Sequence, residues 1–234
     1  MCGRFTRDFT WQQVREFSRM LDLVVPEEEP TQVWNIAPTD PGPVIIASDH
    51  VAGGGGKVHT MRWGLLPSFA KDTKLAYSTI NARLESVDTK PAFRNAWKKR
   101  RALIPATGYY EWPVIDGVKR PHYIALADSP VMLFGGLWET RPDGAGGWLS
   151  TYSIVTREAD PVIAPVHDRM PLILPPDMHR DWLHGSADEA MAMAHAAPEP
   201  ALVFHEVDKA VGNVRNQGKQ LIAPIPSGMH ALFP

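Results

Sequence analysis

Residues 44–63 read Val-Ile-Ile-Ala-Ser-Asp-His-Val-Ala-Gly-Gly-Gly-Gly-Lys-Val-His-Thr-Met-Arg-Trp. Two runs of strand-forming residues, Val44 to Ala47 and Val58 to Trp63, flank Gly53 to Gly56. Glycine takes positive φ without a Cβ clash, so glycines between two such runs specify a reversal and predict a hairpin. The pattern recurs: Ala102 to Ile104, Tyr123 to Leu126, Val131 to Phe134 and Trp148 to Val155 also read as strands. Asp116-Gly117 marks another tight turn.

Helical segments interrupt the strands. Thr10-Trp11-Gln12-Gln13 has capping-box spacing, and Val14, Phe17 and Leu21 follow with helical periodicity, predicting a helix over 11–21 ended by Pro26 and Pro30. Pro91 to Lys99 reads as a helix, as does Asp177 to Leu183 closed by Gly185. Ser186-Ala187-Asp188-Glu189 is a second capping box, opening an alanine-rich segment that reads as a helix or a surface hairpin. With no internal repeat, the 234 residues predict one α+β domain, a curved, mainly antiparallel β-sheet or barrel-like core flanked by short helices. The 22 prolines and 18 glycines, spread throughout, give it long, position-specific loops.

Composition narrows the function. A formal charge of -2 excludes the bulk cationic field of a sequence-independent duplex binder, so any nucleic-acid site is a local cluster. The single cysteine, Cys2, cannot form a disulfide within the chain. MCGRFTRDFT lacks the apolar core of a secretory signal, and no run reaches the roughly eighteen apolar residues of a membrane span. The expectation is a soluble, intracellular, cytoplasmic protein. The nine histidines include no HExxH, a lone cysteine cannot build a cysteine-rich zinc site, and Gly53 to Gly56 lacks the following Lys-Ser/Thr of a phosphate loop, so neither metal nor cofactor is implied. Lys98-Lys99-Arg100-Arg101 reads as a solvated helix end or as a contact to a nucleic-acid backbone.

Cys2 carries the sharpest chemistry. A small residue at position 2 permits removal of Met1, leaving a free α-amine and a thiol on one residue. Such a 1,2-aminothiol condenses with an aldehyde to an imine that the thiol closes into a thiazolidine, and an α-amine of pKa about 7.7–8.0 is partly neutral at physiological pH. Cys2 reads equally as a small buried apolar residue. Asn81 suits a sugar hydroxyl, and Arg83 and Arg169 suit phosphates held in a planar fork. Glu111, among aromatic residues, reads as a proton-transfer group with a raised pKa or as a carboxylate paired with an arginine. His167 reads as a donor to a sugar oxygen or as a structural histidine.

Met1-Cys2-Gly3-Arg4-Phe5 resembles the start of the SOS response-associated peptidase (SRAP) family, also called abasic-site processing proteins. The resemblance extends through Trp34-Asn35-Ile36-Ala37-Pro38, Arg62-Trp63-Gly64-Leu65-Leu66-Pro67, Asn81-Ala82-Arg83-Leu84-Glu85 and Gly108-Tyr109-Tyr110-Glu111-Trp112. It continues through Val166-His167-Asp168-Arg169-Met170-Pro171 and Val211-Gly212-Asn213-Val214-Arg215-Asn216, covering residues 2 to about 224 in family order and leaving a short tail, 225–234. It implies that Cys2 forms a covalent link to the aldehyde of an abasic site in single-stranded DNA, shielding the lesion during the DNA damage response. Asn81 and Glu111 would shape and activate the site, and His167 would assist ring opening and reversal.

The resemblance further implies a DNA groove of Arg4, Asn35, Pro38, Trp63, Arg83 and Arg169, with Arg215 nearby, and a monomer associated with the nucleoid when bound. The family's aromatic wedge, usually Trp, is here Phe69. Base stacking on an aromatic contributes roughly 1–3 kcal/mol, so the smaller ring alters affinity or junction preference. Trp63 reads equally as a core residue. Two other readings stand beside capture: a hydrolase or autopeptidase whose Cys2 thiolate attacks an amide and removes Met1, and a non-covalent single-strand binder in which Cys2 is incidental. Weak lyase activity by β-elimination from the imine is a companion of the capture reading.

Overall fold

A computed structural model of the chain describes residues 2–49, 54–70 and 72–225. In order come β1 (Phe5–Arg7), α1 (Trp11–Phe17), β2 (Leu23–Val24), β3 (Val33–Ile36), β4 (Pro41–Ser48), β5 (Gly55–Trp63), β6 (Asn81–Arg83), α2 (Arg94–Lys99), β7 (Arg101–Ala106) and β8 (Gly108–Glu111). There follow β9 (Val114–Ile115), β10 (Val118–Lys119), β11 (His122–Leu126), β12 (Met132–Pro142), β13 (Trp148–Glu158), β14 (Arg169–Pro171), α3 (His179–His184), α4 (Ala187–Ala196) and β15 (Leu202–Glu206).

β4 and β5 pair antiparallel from Pro41↔Arg62 to Ser48↔Gly55, as the opening stretch predicts. Gly54, at φ 79, leads into β5, while Gly53 lies outside the described residues. The larger sheet runs β14-β13-β12-β7-β4-β5-β2. β13 then pairs with β5 in parallel, Thr151↔Arg62 and Tyr152↔Trp63, so β5, β4, β7, β12 and β13 close into a ring with no free edge. The other ladders of the ring are antiparallel. A second sheet, β15-β11-β8-β1-β3, is antiparallel throughout.

Both faces of the ring are covered, so its strands read as continuous apolar runs rather than alternating ones. In β7, Ala102, Ile104 and Ala106 join one buried cluster and Leu103 the other. The Leu103 side packs against Trp11, Val14, Trp97, Trp182 and Ala190 of the four α-helices. The Ile104 side packs against Phe5, Ile36, Tyr109 and Ile124 of the second sheet, together with Cys2 and Trp63. Cys2 is therefore held between two sheets.

Several local expectations change. The first helix ends at its C-cap Ser18 rather than near 21, and Leu21 reaches the core from a turn. α2 starts at Arg94 because residues 90–93 form a turn. Gly185 does close α3, but at φ -65, ψ 171 rather than left-handed. A Cβ there would meet the Asp181 carbonyl oxygen at 2.6 Å, so space, not positive φ, calls for glycine. Ser186 and Glu189 complete their capping box, making the alanine-rich segment a helix. The basic run is only half solvated: Arg100 pairs with Glu139 at 2.6 Å, and Arg101, buried, donates to the carbonyls of Trp97, Trp182 and Gly185. Asp116 (φ 52) and Gly117 (φ 77) form the turn between β9 and β10.

Where β5 leaves the ring, Gly64 has φ 108, donates its N–H to the Tyr152 carbonyl at 2.8 Å, and would bring a Cβ within 2.6 Å of the Ala76 carbonyl oxygen. Gly64→Ala is therefore expected to lower stability by about 1–3 kcal/mol from backbone strain alone, with the clash adding to it. Urea denaturation measures this; an unchanged midpoint would refute the close approach.

Candidate active site

Cys2 enters the site along β1. That strand lies between β3 and β8, with Phe5 opposite both Ile36 and Tyr109, and the Tyr110 N–H bonds the Arg4 carbonyl at 2.9 Å. The Cys2 carbonyl accepts from Asn81 Nδ2 at 2.8 Å. Asn81 is set by the parallel pairing of β6 with β13, Ile154↔Asn81, and its Oδ1 is buried without a hydrogen-bond partner among the described residues. Glu111 ends β8 opposite His122 and is 3% exposed. His167 Nε2 lies 3.9 Å from Glu111 Oε2. Residues far apart in the chain thus meet at one spot.

Burial tunes these groups toward their neutral forms. It raises the Glu111 carboxyl from 4.5 to about 7. It pushes the Cys2 thiol far up, an effect reinforced by the Glu111 charge, so the thiol stays protonated near neutrality. It lowers the His167 imidazole below its ordinary value. Two contacts at His167 Nδ1 compete: the Arg169 N–H at 2.9 Å needs an unprotonated nitrogen, and Asp168 Oδ1 at 2.8 Å favours a proton there. Burial keeps the ring neutral, and the bond from the Arg169 N–H then leaves its proton on Nε2. The arrangement suits proton transfer between neutral partners around Cys2.

The residues expected to line a groove divide. Phe69 is 57% exposed, Arg83 and Arg215 are exposed, and Pro38 is half-buried beside Thr39, which has φ 81. Arg4 is partly buried, donating Nη1–H to Asn35 Oδ1 at 2.6 Å and to the Val211 carbonyl, with its guanidinium 5.7 Å from the Trp112 ring centre. Three of these residues lie inside the protein. Asn35 is fully buried, and its amide donates to the carbonyls of Val211, Asn213 and Asn216, fastening the 211–216 segment to β3. Trp63 is core: it is 0% exposed, bonds the Ile80 carbonyl and lies edge-on to Phe5. Arg169 is 7% exposed, and both arms of its fork are taken by Glu85.

Glu85, Tyr109 and Trp112 were not singled out for the site in the sequence. Glu85 and Trp112 show themselves only through Arg169 and Arg4, long-range partners that no local spacing reveals. Tyr109 is buried in the same cluster as Cys2, and burial raises its phenol well above the ordinary value.

The sequence model of the SOS response associated peptidase (SRAP) family matches residues 1–214. The chain belongs to the SRAP family. Among SRAP relatives, abasic site processing protein YoaM of Bacillus subtilis is 33% identical over 227 residues, spanning 95% of this chain and 97% of the relative. Abasic site processing protein YedK of Escherichia coli is 32% identical, spanning 96% and 100%. A solved structure from Bordetella bronchiseptica is 27% identical with a TM-score of 0.72, covering 88% of this chain and 100% of that one. One from Bacteroides thetaiotaomicron, 22% identical, has a TM-score of 0.77 over 95% and 99%, and shows the shared SRAP fold.

The Glu111 shift makes stability depend on pH. The folded state holds this proton more tightly than the unfolded chain, so the stabilisation is full below pH about 4.5 and is lost as pH rises through about 7. Relative to Glu111→Gln, which cannot titrate, the wild type is expected to lose about 3 kcal/mol across that window. Urea titrations of both proteins from pH 4.5 to 8 check this; a constant difference would mean that burial does not govern Glu111.

Proposed function

We propose that this protein captures abasic sites in single-stranded DNA by bonding Cys2 covalently to the C1′ aldehyde of the exposed sugar. One observation carries the reading: Asn81 holds the Cys2 carbonyl while Glu111, with its raised carboxyl, lies 3.9 Å from His167. Acid–base groups are thereby assembled where the Cys2 amine and thiol emerge. The printed names of YoaM and YedK, abasic site processing proteins, support the same class of lesion.

The abasic sugar is mostly a closed hemiacetal. Opening it moves the C1′ hydroxyl proton to Glu111 while the His167 Nε2–H hydrogen-bonds to the ring oxygen; as the C1′–O bond breaks, the proton passes from Glu111 to that oxygen, leaving Glu111 ionised and His167 neutral as before. Removal of Met1 frees the Cys2 amine, which adds to the aldehyde; Glu111 relays protons as water leaves and the imine forms. The thiol then adds across C=N, sulfur bonding C1′ and the thiol proton going to nitrogen, which closes the thiazolidine with net loss of one water. Asn81 Oδ1 accepts from a sugar hydroxyl. A thiol held protonated favours this amine-first order over thiolate attack on an amide. Phe69, Arg83 and Arg215 supply the exposed stacking and phosphate contacts, while Arg4 orients from within the groove wall.

On denaturing gels, protein incubated with single-stranded DNA bearing one abasic site is expected to give a shifted band that intact DNA and Cys2→Ala do not. Cys2→Ser, which keeps the amine and weakens ring closure, should give only a labile adduct. No band from protein whose Met1 is absent by mass spectrometry would sink the reading; Cys2-dependent release of Met1 without a band would favour the peptidase alternative.

A further inference from the structure

Arg169, at the start of β14, is bonded at both ends. Its Nη1 donates to Glu85 Oε1 at 2.6 Å and its Nη2 to Glu85 Oε2 at 2.9 Å, and Nη2 also donates to the Thr156 carbonyl at 2.7 Å. Its backbone N–H donates to His167 Nδ1 at 2.9 Å. Glu85 follows β6 directly and Thr156 lies in β13, where it pairs with both Arg83 and Pro171. One guanidinium therefore ties the strand that carries Asn81 to the turn that carries His167.

The backbone bond decides where the imidazole keeps its proton. A ring nitrogen that accepts from an N–H carries no hydrogen, so the neutral ring holds its proton on Nε2, the atom 3.9 Å from Glu111. Asp168 Oδ1, 2.8 Å from Nδ1, pulls the other way. Its side chain is 84% exposed and well hydrated, whereas Arg169 is pinned by its fork. With the fork released, the 168–169 peptide is held by the bond from the Ala159 N–H to the Asp168 carbonyl, 2.9 Å, at the end of the β13–β14 ladder, and the carboxylate competes for Nδ1.

We propose that Glu85 is a positioning residue: by clamping Arg169 it fixes the peptide that sets the His167 tautomer and aims the Nε2 proton at the reacting sugar. This rests on the reading of His167 as donor to the ring oxygen.

The test compares two single-stranded DNA probes: one with an ordinary abasic site, and one whose aldehyde-bearing residue lacks the C4′ oxygen and cannot close a ring. Glu85→Gln is expected to slow crosslinking of the ordinary site about tenfold, less than the full contribution of a general acid, and to leave the acyclic probe and non-covalent affinity unchanged. Glu85→Asp, which keeps the charge, should recover part of the rate. Long-range ¹⁵N–¹H NMR of His167 without DNA should show the Nε2–H tautomer in the wild type and its loss in Glu85→Gln. Equal slowing on both probes, or an unchanged tautomer, overturns the proposal. If the wild type reacts with neither probe, the capture reading fails, and the tautomer measurement still decides the positioning role.

Discussion

Along one edge of β13, Thr151 and Tyr152 pair with the end of β5, and Ile154 to Thr156 pair with β6, both in parallel. This double pairing decides where everything else goes. The first part closes the ring and brings Trp63 to stack on Tyr152 at 6.4 Å, which fills the space between the two sheets with aromatic rings. The second part delivers Asn81 to the Cys2 carbonyl. Between these two pairings the chain leaves the edge after Trp63 and returns to it at Asn81, an excursion that carries Phe69 to the surface. The Asn81 bond to the Cys2 carbonyl and the exposure of Phe69 thus both follow from one strand's choice of neighbours.

Burial gives this site its electrostatic character. A protonated thiol, a carboxyl near neutrality and a neutral imidazole gather where little water enters, so proton transfers among them create little net charge. The surrounding arginines are handled differently. Arg4 and Arg169 are drawn into the protein and spent on Asn35, Val211 and Glu85, and Arg101 is spent on helix-end carbonyls. The near-zero net charge therefore overstates how much of the basic complement reaches the surface near the site. Arg83 and Arg215, by contrast, are exposed.

Local signals were legible wherever a few adjacent residues carry the physics. The β4–β5 hairpin, the Asp116-Gly117 turn and both capping boxes appear as their spacing implies, because turn geometry and orphan helix N–H groups are satisfied within four residues. β1 and β3 escaped periodicity because they are three and four residues long and owe their existence to neighbours in the second sheet. Trp63 stayed open between core and groove, and Asn35 entered the groove only through the resemblance, because aromatic and amide side chains serve cores and interfaces alike; the position of Ile80 and of the 211–216 carbonyls shows both buried.

By itself, then, the sequence determined the fold class, the hairpins and helix caps, and which residue types could perform aldehyde chemistry, since each depends on local stereochemistry or on the intrinsic reactivity of a side chain. The tertiary structure alone decided that Asn81, Glu111 and His167 meet near Cys2, that Glu85 rather than a free surface occupies the Arg169 fork, and which way each ionisable group is shifted. Those outcomes come from contacts between residues remote in sequence and from the exclusion of water around them, and neither quantity exists until the chain has closed on itself.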